Sequence, residues 1–560
     1  ANVTRTSHIM FTMGTDFKYQ YANTWFRQLD KLIHYVNKDG RVNVLYSSPS
    51  IYTDAKHAAK ETWPFKTEDF FPYADSANGY WTGFFTSRPA LKGFIRTLSS
   101  YYLAARQLEF FNGKNSSGYT TDTLADALAI NQHHDAVTGT EKQHVADDYA
   151  KRLSIGYAES EKVVEHGLSY LSELHLSNVS TRKFEQCSLL NITYCPPSEA
   201  GISEEKSLVV LVYNSLGWKR EDIIKIPVAN EHVVVKNSEG IEIVAQLLPI
   251  ANASIHLRNT HVKIYLGRSI GNTPNFWLSF EVSVPPLGFT TYFVSYAEQK
   301  GSKTAMSTVD KSHTEKNSIK VGQGNLKLYY DRNGQLHHYS NKRNMLKESL
   351  HQSFGYYSSD DGSGFDLQAS GAYIFRPKGV IHIETSGQSQ LKVLRGPIVD
   401  EIHQQMNPWI YQITRVYKGK EHGEIEYIVG PIPVDDTIGK EVVTQITTPM
   451  LTNKSFFTDS NGRDFIKRVR DYRSDWKLDV NQPISGNYYP INLGIYIKDD
   501  TRELSMMVDR SVGGSSIHDG QIELMLHRRL LQDDSKGVGE PLNEVVCDAD
   551  KCFGLMVLTL

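Results

Sequence analysis

Three places in the sequence hold residue types able to do acid–base or metal chemistry. The first is Asp16, which follows Met13-Gly14-Thr15 after the short apolar run His8-Ile-Met-Phe-Thr-Met13. If that run is a strand, Asp16 lies at its carboxyl end, the edge where open α/β sheets place their ligands. A carboxyl there can give and take a proton. The same residue could instead cap a helix starting near Tyr21 or close an Asx turn, and the segment alone leaves both readings open. The second place is Gln132-His133-His134-Asp135. Neutral imidazole ligates zinc, and a neighbouring carboxylate can orient a ring or accept a substrate hydroxyl. Adjacent residues on a helix point about 100° apart, so only one of the two histidines readily faces a given metal. Zinc asks for three or four protein ligands. As a bare triplet the motif reads as structural more readily than as a ligand set. The third place is the aromatic stretch Phe70-Phe-Pro-Tyr-Ala-Asp75 with Tyr80-Trp-Thr-Gly-Phe-Phe85. Such rings stack on the apolar C–H faces of sugars, and equally well form a core beneath a loop.

The elements that must position these residues follow from periodicity. Residues 1–65 read as α/β: a strand at 8–13, a helix carrying Trp25, Phe26, Leu29, Leu32, Ile33 and Val36 and ending near Gly40, and a second strand at 42–46. Strand–helix–strand predicts a βαβ unit of a parallel sheet. Residues 66–175 read as helical. One stripe runs Leu91, Phe94, Ile95, Leu98, Tyr102, Ala105, Leu108 and closes at Asn112-Gly113. A second helix spans about Asp122 to His134, and a third begins at Thr140-Glu-Lys-Gln143, which has capping-box spacing. Short connections predict a three-helix bundle that carries the His-His-Asp segment. From 206 to 560 the period falls to two, with turns such as Asn333-Gly334 and Asn461-Gly462, which predicts two or more antiparallel β-sandwich domains. Residues 298–318 are polar and Lys/Ser/Thr-rich, and read as an exposed connector.

Composition excludes several function classes. The 560 residues hold 60 basic and 63 acidic side chains, a net charge of −3, so nothing points to nucleic acid or to a membrane surface. No apolar run is long enough to cross a bilayer. There is no dinucleotide loop, no P-loop and no Gly-x-Ser-x-Gly elbow. The four cysteines form two close pairs, Cys187/Cys195 and Cys547/Cys552. Two local disulfides fit them better than one zinc site, because the pairs are far apart in sequence. Sequons stand at Asn2, Asn115, Asn178, Asn191, Asn252 and Asn453. With the cysteine pairs they favour the secretory pathway. The chain starts at Ala1 without a signal pattern and ends on the apolar run Gly554–Leu560, which predicts a processed piece of a longer precursor.

Several blocks then combine. His8-Ile-Met-Phe-Thr-Met-Gly-Thr-Asp-Phe17, Phe70–Asp75 and Gln132-His-His-Asp-Ala-Val-Thr-Gly-Thr140 resemble glycoside hydrolase family 38, the class II α-mannosidases. So do Ser370-Gly-Ala-Tyr-Ile-Phe-Arg-Pro377, Gly430-Pro-Ile-Pro433, Asn487-Tyr-Tyr-Pro490 and His527-Arg-Arg-Leu-Leu-Gln-Asp-Asp534. The likeness is colinear over nearly the whole chain and looks most like the lysosomal or plant vacuolar branch. It implies a retaining, zinc-dependent exo-α-mannosidase that removes terminal mannose from N-glycans and oligomannosides. In such an enzyme one aspartate is the nucleophile and a second is acid and then base, with the two carboxyls about 5–5.5 Å apart. The resemblance gives the acid/base role to Asp16, a zinc ligand to His134 and a sugar-hydroxyl contact to Asp135. It also places Tyr488 or Tyr489 against the sugar. At Lys536 some relatives have an arginine, so a bidentate hydrogen bond would become a point charge. The nucleophile and the remaining zinc ligands match nothing in this chain. A second polypeptide from the same precursor is therefore expected to supply them, within a higher oligomer in a vacuole or lysosome. The alternative is a non-catalytic carbohydrate-binding or scaffold subunit of a glycosidase complex.

Overall fold

The structure is a computed structural model that describes residues 4–114, 118–173, 183–187, 192–200, 202–203, 206–271, 273–298, 302–310, 318–383, 391–544 and, for the backbone, 552–559. The chain divides into two compact units, Ala1–Asp69 and Phe70–Leu560.

The first unit holds helices α1 (Ala22–Asp39) and α2 (Pro49–Ala58), with a 3-10 turn at Lys18–Tyr21. Helix α1 is the one its apolar spacing predicts, and it stops at Gly40, whose φ of 78° suits glycine. Helix α2 has proline in its first turn, and its N-cap Ser48 accepts a hydrogen bond from the Ile51 amide at 3.3 Å. The two expected strands are absent from the described residues of this unit. A strand exists where main-chain groups pair with a neighbouring strand. Here the Asn37 side chain takes both polar groups of Val44 instead, at 2.8 and 2.7 Å. The βαβ expectation for residues 1–65 is corrected accordingly.

The second unit begins with α3 (Pro89–Asn112), α4 (Asp122–Ile130) and α5 (Gln143–Glu173). Ile95, Leu98, Leu124, Leu128, Leu153 and Tyr157 form one shared apolar cluster. Ala105, Leu108, Val164 and Leu168 form the next along the helices. Helix α4 ends four residues before the expected His134, and this decides the geometry of the site below. The capping box is not made. Thr140 turns its hydroxyl to Asp135, while the Gln143 amide donates to Glu540 at 2.6 Å.

Beyond residue 206 the described residues form five sheets. Leu208–Asn214, Arg220–Val228, Val233–Lys236 and Phe276–Val284 are strands, as their β-branched and aromatic runs predict. The short helix α6 (Pro196–Ala200) precedes the sheets. Two expectations fail: α7 (Asn252–Leu266) interrupts the strand region, and the connector carries strands. The buried face of α7 includes Arg258, which ion-pairs with Glu199 at 2.6 Å, so the apolar period is hidden. The supposed connector at 298–318 contains strands Thr304–Met306 and Thr308–Asp310. The first of these pairs parallel with Ala245–Leu247.

The largest core lies between a six-stranded and a ten-stranded sheet. It joins Val442, Ile446 and Leu524 of one to Ile402, Val416 and Ile495 of the other. The six-stranded sheet carries the Ser370–Arg376 loop between its strands His351–Ser359 and Pro377–His382. It also carries the segment that leaves Gln521–Arg529, whose Asp534 holds the loop while the loop's Tyr373 reaches the turn between α4 and α5.

Candidate active site

Asp16 sits on an exposed turn at the entry to α1. Gly14, at φ 146°, lets the chain fold back so that the Tyr19 hydroxyl donates to the Met13 carbonyl at 2.8 Å. A side chain at Gly14 would meet the Tyr19 ring at 2.8 Å. The Lys18 amide closes the turn on the Thr15 carbonyl at 3.1 Å. The N-caps of the following elements are Phe17 and Tyr21, neither with a side-chain cap bond, so Asp16 does not serve as the helix cap. Its carboxylate is presented outward.

The His-His-Asp segment is a turn. Asn131 ends α4 by bonding its side-chain amide to the Ala127 carbonyl at 2.8 Å. Three-residue turns follow, His133 to Ile130 and Ala136 to His133, both at 3.0 Å. Because the backbone no longer advances by a helical step, both imidazoles come round to one carboxylate. His133 Nε2 lies 3.1 Å and His134 Nε2 3.9 Å from Asp135 Oδ2, with ring centroids 4.4 Å apart. The early end of α4 thus sets both rings beside Asp135, where a continuous helix would have pointed them about 100° apart. Ligand atoms of His133, His134 and Asp135 all fall within 4.8 Å of one another. Two imidazole nitrogens and a carboxylate oxygen suit zinc, and they leave coordination positions for further ligands. Among the described residues this is the one group of three or more such side chains able to hold a metal ion.

The other oxygen of Asp135 is fixed from two sides. Thr140 donates its hydroxyl at 3.0 Å and Tyr373 donates its own at 2.8 Å. Burial pushes the Tyr373 hydroxyl up to about 12, so it stays a donor at any physiological pH. Its ring packs on Trp81 at 4.8 Å, and Trp81 packs on Tyr73 at 5.4 Å. Of the aromatic stretch, Tyr80 and Phe85 are core, while Phe70 and Tyr73 are exposed. Tyr373 is held by its backbone: its amide donates to Asp534 at 2.7 Å and its carbonyl accepts from Gly83 at 3.0 Å. Beneath the loop Arg528, fully buried and ion-paired with Glu441, donates to the Gly371, Ala372 and Ile374 carbonyls. Lys536, just past Asp534, ion-pairs with Asp75 at 2.7 Å.

Tyr488 and Tyr489 are placed in the core. Tyr488 is fully buried, its ring 5.0 Å from Phe375 and its hydroxyl on Glu523. Burial and that carboxylate hold the hydroxyl well above the usual tyrosine range. Tyr489 lies under the Arg468 guanidinium, 4.3 Å from its ring centroid. The sequence reading gave the ligand role to His134 and not to His133, and it assigned Thr140 and Tyr373 no place beside Asp135. Tyr373 stands inside a block that carried the family resemblance, but nothing local directs it to a carboxylate 238 residues away. Cys187 and Cys195 form a disulfide. Cys547 lies outside the described residues, and so does its expected bond to Cys552. Asn252 and Asn453 are exposed, whereas Asn2, Asn115, Asn178 and Asn191 lie outside the described residues.

Profiles of the glycosyl hydrolases family 38 N-terminal and C-terminal domains match residues 1–76 and 321–536. The alpha mannosidase middle domain matches 79–171, and the lysosomal alpha-mannosidase-like central domain matches 243–294. The chain belongs to glycoside hydrolase family 38. A probable alpha-mannosidase of Arabidopsis thaliana is 61% identical over 100% of this chain and 55% of its own length. The alpha-mannosidase of Canavalia ensiformis is 51% identical over 100% of this chain and 57% of its own. Human lysosomal alpha-mannosidase is 39% identical over 96% of this chain and 52% of its own. The chain therefore spans about half the length of the curated relatives it matches. A crystal structure of an alpha-mannosidase from Enterococcus faecalis shares the fold, with a TM-score of 0.62 at 12% identity over 95% of this chain and 61% of that one. No helix among the described residues is long and apolar enough to cross a membrane.

Proposed function

We propose that this chain is one proteolytic piece of a retaining, zinc-dependent exo-α-mannosidase that acts on N-glycans and oligomannosides in a vacuole or lysosome. The observation that carries the reading is the turn at 133–135, with both imidazoles on one oxygen of Asp135 while Thr140 and Tyr373 fix the other. In this reading α3, α4 and α5 are a three-helix bundle, and the paired sheets are β-sandwiches.

His134, with His133 and Asp135 beside it, would hold the metal. Bound zinc would supply Lewis-acid and templating chemistry at the vicinal hydroxyls of the terminal sugar. Asp135 accepts a sugar hydroxyl, and Tyr373 and Thr140 keep its carboxylate from swinging away. Asp16 protonates the leaving glycosidic oxygen, and later takes the proton from the water that releases the sugar. The attacking carboxylate and the further zinc ligands come from a companion polypeptide. Two observations support that partner: among the described residues the metal-capable group holds three side chains, which leaves a coordination position open, and the first unit leaves Phe11, Phe26 and Leu32 exposed.

The test is hydrolysis of a chromogenic α-mannoside by the native preparation, before and after zinc is stripped. Activity lost on stripping and restored by zinc is the expected result. Hydrolysis that ignores zinc removal rejects the metal assignment. Binding of mannosides without hydrolysis returns the chain to the carbohydrate-binding subunit reading.

A further inference from the structure

The turn that carries the three candidate ligands is docked on the start of α3 by a group that plays no part in the chemistry above. Lys92 is buried, yet its ammonium meets three main-chain carbonyls: Ser87 at 2.7 Å, Val137 at 2.9 Å and Thr138 at 2.6 Å. Two of these belong to the segment just after Asp135, and the third belongs to the segment before α3. The same two segments touch at Gly139, whose φ of 76° and position leave no room for a side chain, since a Cβ there would lie 2.4 Å from the Ser87 carbonyl oxygen. Arg88 closes the far end by donating to the Glu141 carbonyl at 2.9 Å.

A buried cation is costly, and an apolar side chain of similar length would fill the same space more cheaply. What an apolar residue could not do is bind two successive carbonyls of a turn that has left its helix. We infer that Lys92 is a positioning residue: it fixes the 137–138 carbonyls and through them the angle at which His133, His134 and Asp135 converge. The assignment rests on the metal reading of that turn. It adds that the ligand geometry is set from beneath by α3 and not by α4, which ends too early to dictate it. Burial, the largest influence on this amine, brings it down to about 7, which fits a group held by carbonyls with no carboxylate in direct contact.

The test compares Lys92→Met and Lys92→Gln with the unaltered native protein. Amide hydrogen exchange is followed in residues 132–140 and, as a reference, in strand Lys440–Thr447, with zinc affinity measured by chelator competition. At least tenfold faster exchange confined to 132–140 is expected, with zinc affinity about 10–100-fold weaker. Lys92→Gln, which keeps a donor, should fall between the native protein and Lys92→Met. Faster exchange everywhere would assign Lys92 to general stability, and unchanged exchange at 132–140 would overturn the inference. Should the native protein hold no zinc, the metal reading fails on its own, and the exchange measurement still decides whether Lys92 sets the turn.

Discussion

The unit at Ala1–Asp69 and the unit at Phe70–Leu560 treat their apolar side chains in opposite ways. In the first, no described residue is buried, and Phe11, Tyr21, Phe26, Leu32 and Tyr35 face solvent. In the second, one cluster runs from Ile319 to Leu526, and even charged side chains such as Arg528 and Glu441 are fully enclosed. Helix α1 and helix α3 show the same kind of stripe. Leu98 and Leu108 on α3 are buried, whereas Trp25, Leu29 and Ile33 on α1 reach only an intermediate level. Periodicity thus states what a helix can bury, and the surrounding elements decide what it does bury. The proposed roles split along the same line: the proton donor is on the exposed unit, and the metal-side residues are braced by the enclosed one.

That contrast can be broken or sharpened by substitution. Asp16→Asn in the native enzyme should lower mannoside hydrolysis by about 10²–10⁴-fold without moving the unfolding temperature, because Asp16 is exposed on its turn. A loss below tenfold would remove it from the reaction. Arg528→Met should destabilise the second unit by about 3–5 kcal/mol, since Glu441 would be left buried without its partner, as denaturant unfolding would report. An unchanged midpoint would mean that the Ser370–Arg376 loop needs no clamp. Burial raises the Glu141 carboxyl from 4.5 to about 7. A folded state that binds this proton more tightly gains stability that is fully present below about pH 4.5 and lost as pH rises toward 7, by up to about 3 kcal/mol. Thermal unfolding of Glu141→Gln should show that decline flattened, and a profile parallel to the unaltered protein would contradict the buried-acid account. Tyr373→Phe removes one donor from Asp135 and should cost about tenfold in kcat/KM, or roughly 1–1.5 kcal/mol. No change would mean that Thr140 alone suffices. Smallest of all, Leu32→Ser should shift this chain's own unfolding by under about 0.5 kcal/mol. It should still weaken retention of a companion polypeptide on size exclusion.

Where a local rule and the global packing agree, the fold was legible from residues alone. Helix α1 ends at Gly40, the hairpin at Asn333-Gly334 turns with Gly334 at φ 76°, and strands such as Ser318–Val321 alternate in burial as they pair. Reading failed where side chains took over main-chain bonding. Asn37 satisfies Val44 in place of a strand, and Thr140 serves Asp135 in place of a helix cap. It failed again where a buried arginine broke an apolar stripe, as Arg258 does in α7. For the site, Asp16, His134 and Asp135 drew notice by type and spacing, and the family resemblance gave them roles. His133 became a partner because α4 stops at Ile130, and Tyr373 and Lys92 act across long sequence separations that no local pattern encodes.

The central claim, that the turn at 133–135 is one side of a zinc centre, meets its most direct test in anomalous X-ray scattering at the zinc edge from crystals of the native protein with everything that co-purifies. The account predicts one peak beside His134, with Asp135 still bonded to Tyr373 and further ligands from a second polypeptide completing the shell. Crystals of fully active enzyme with no anomalous peak beside that turn would contradict it.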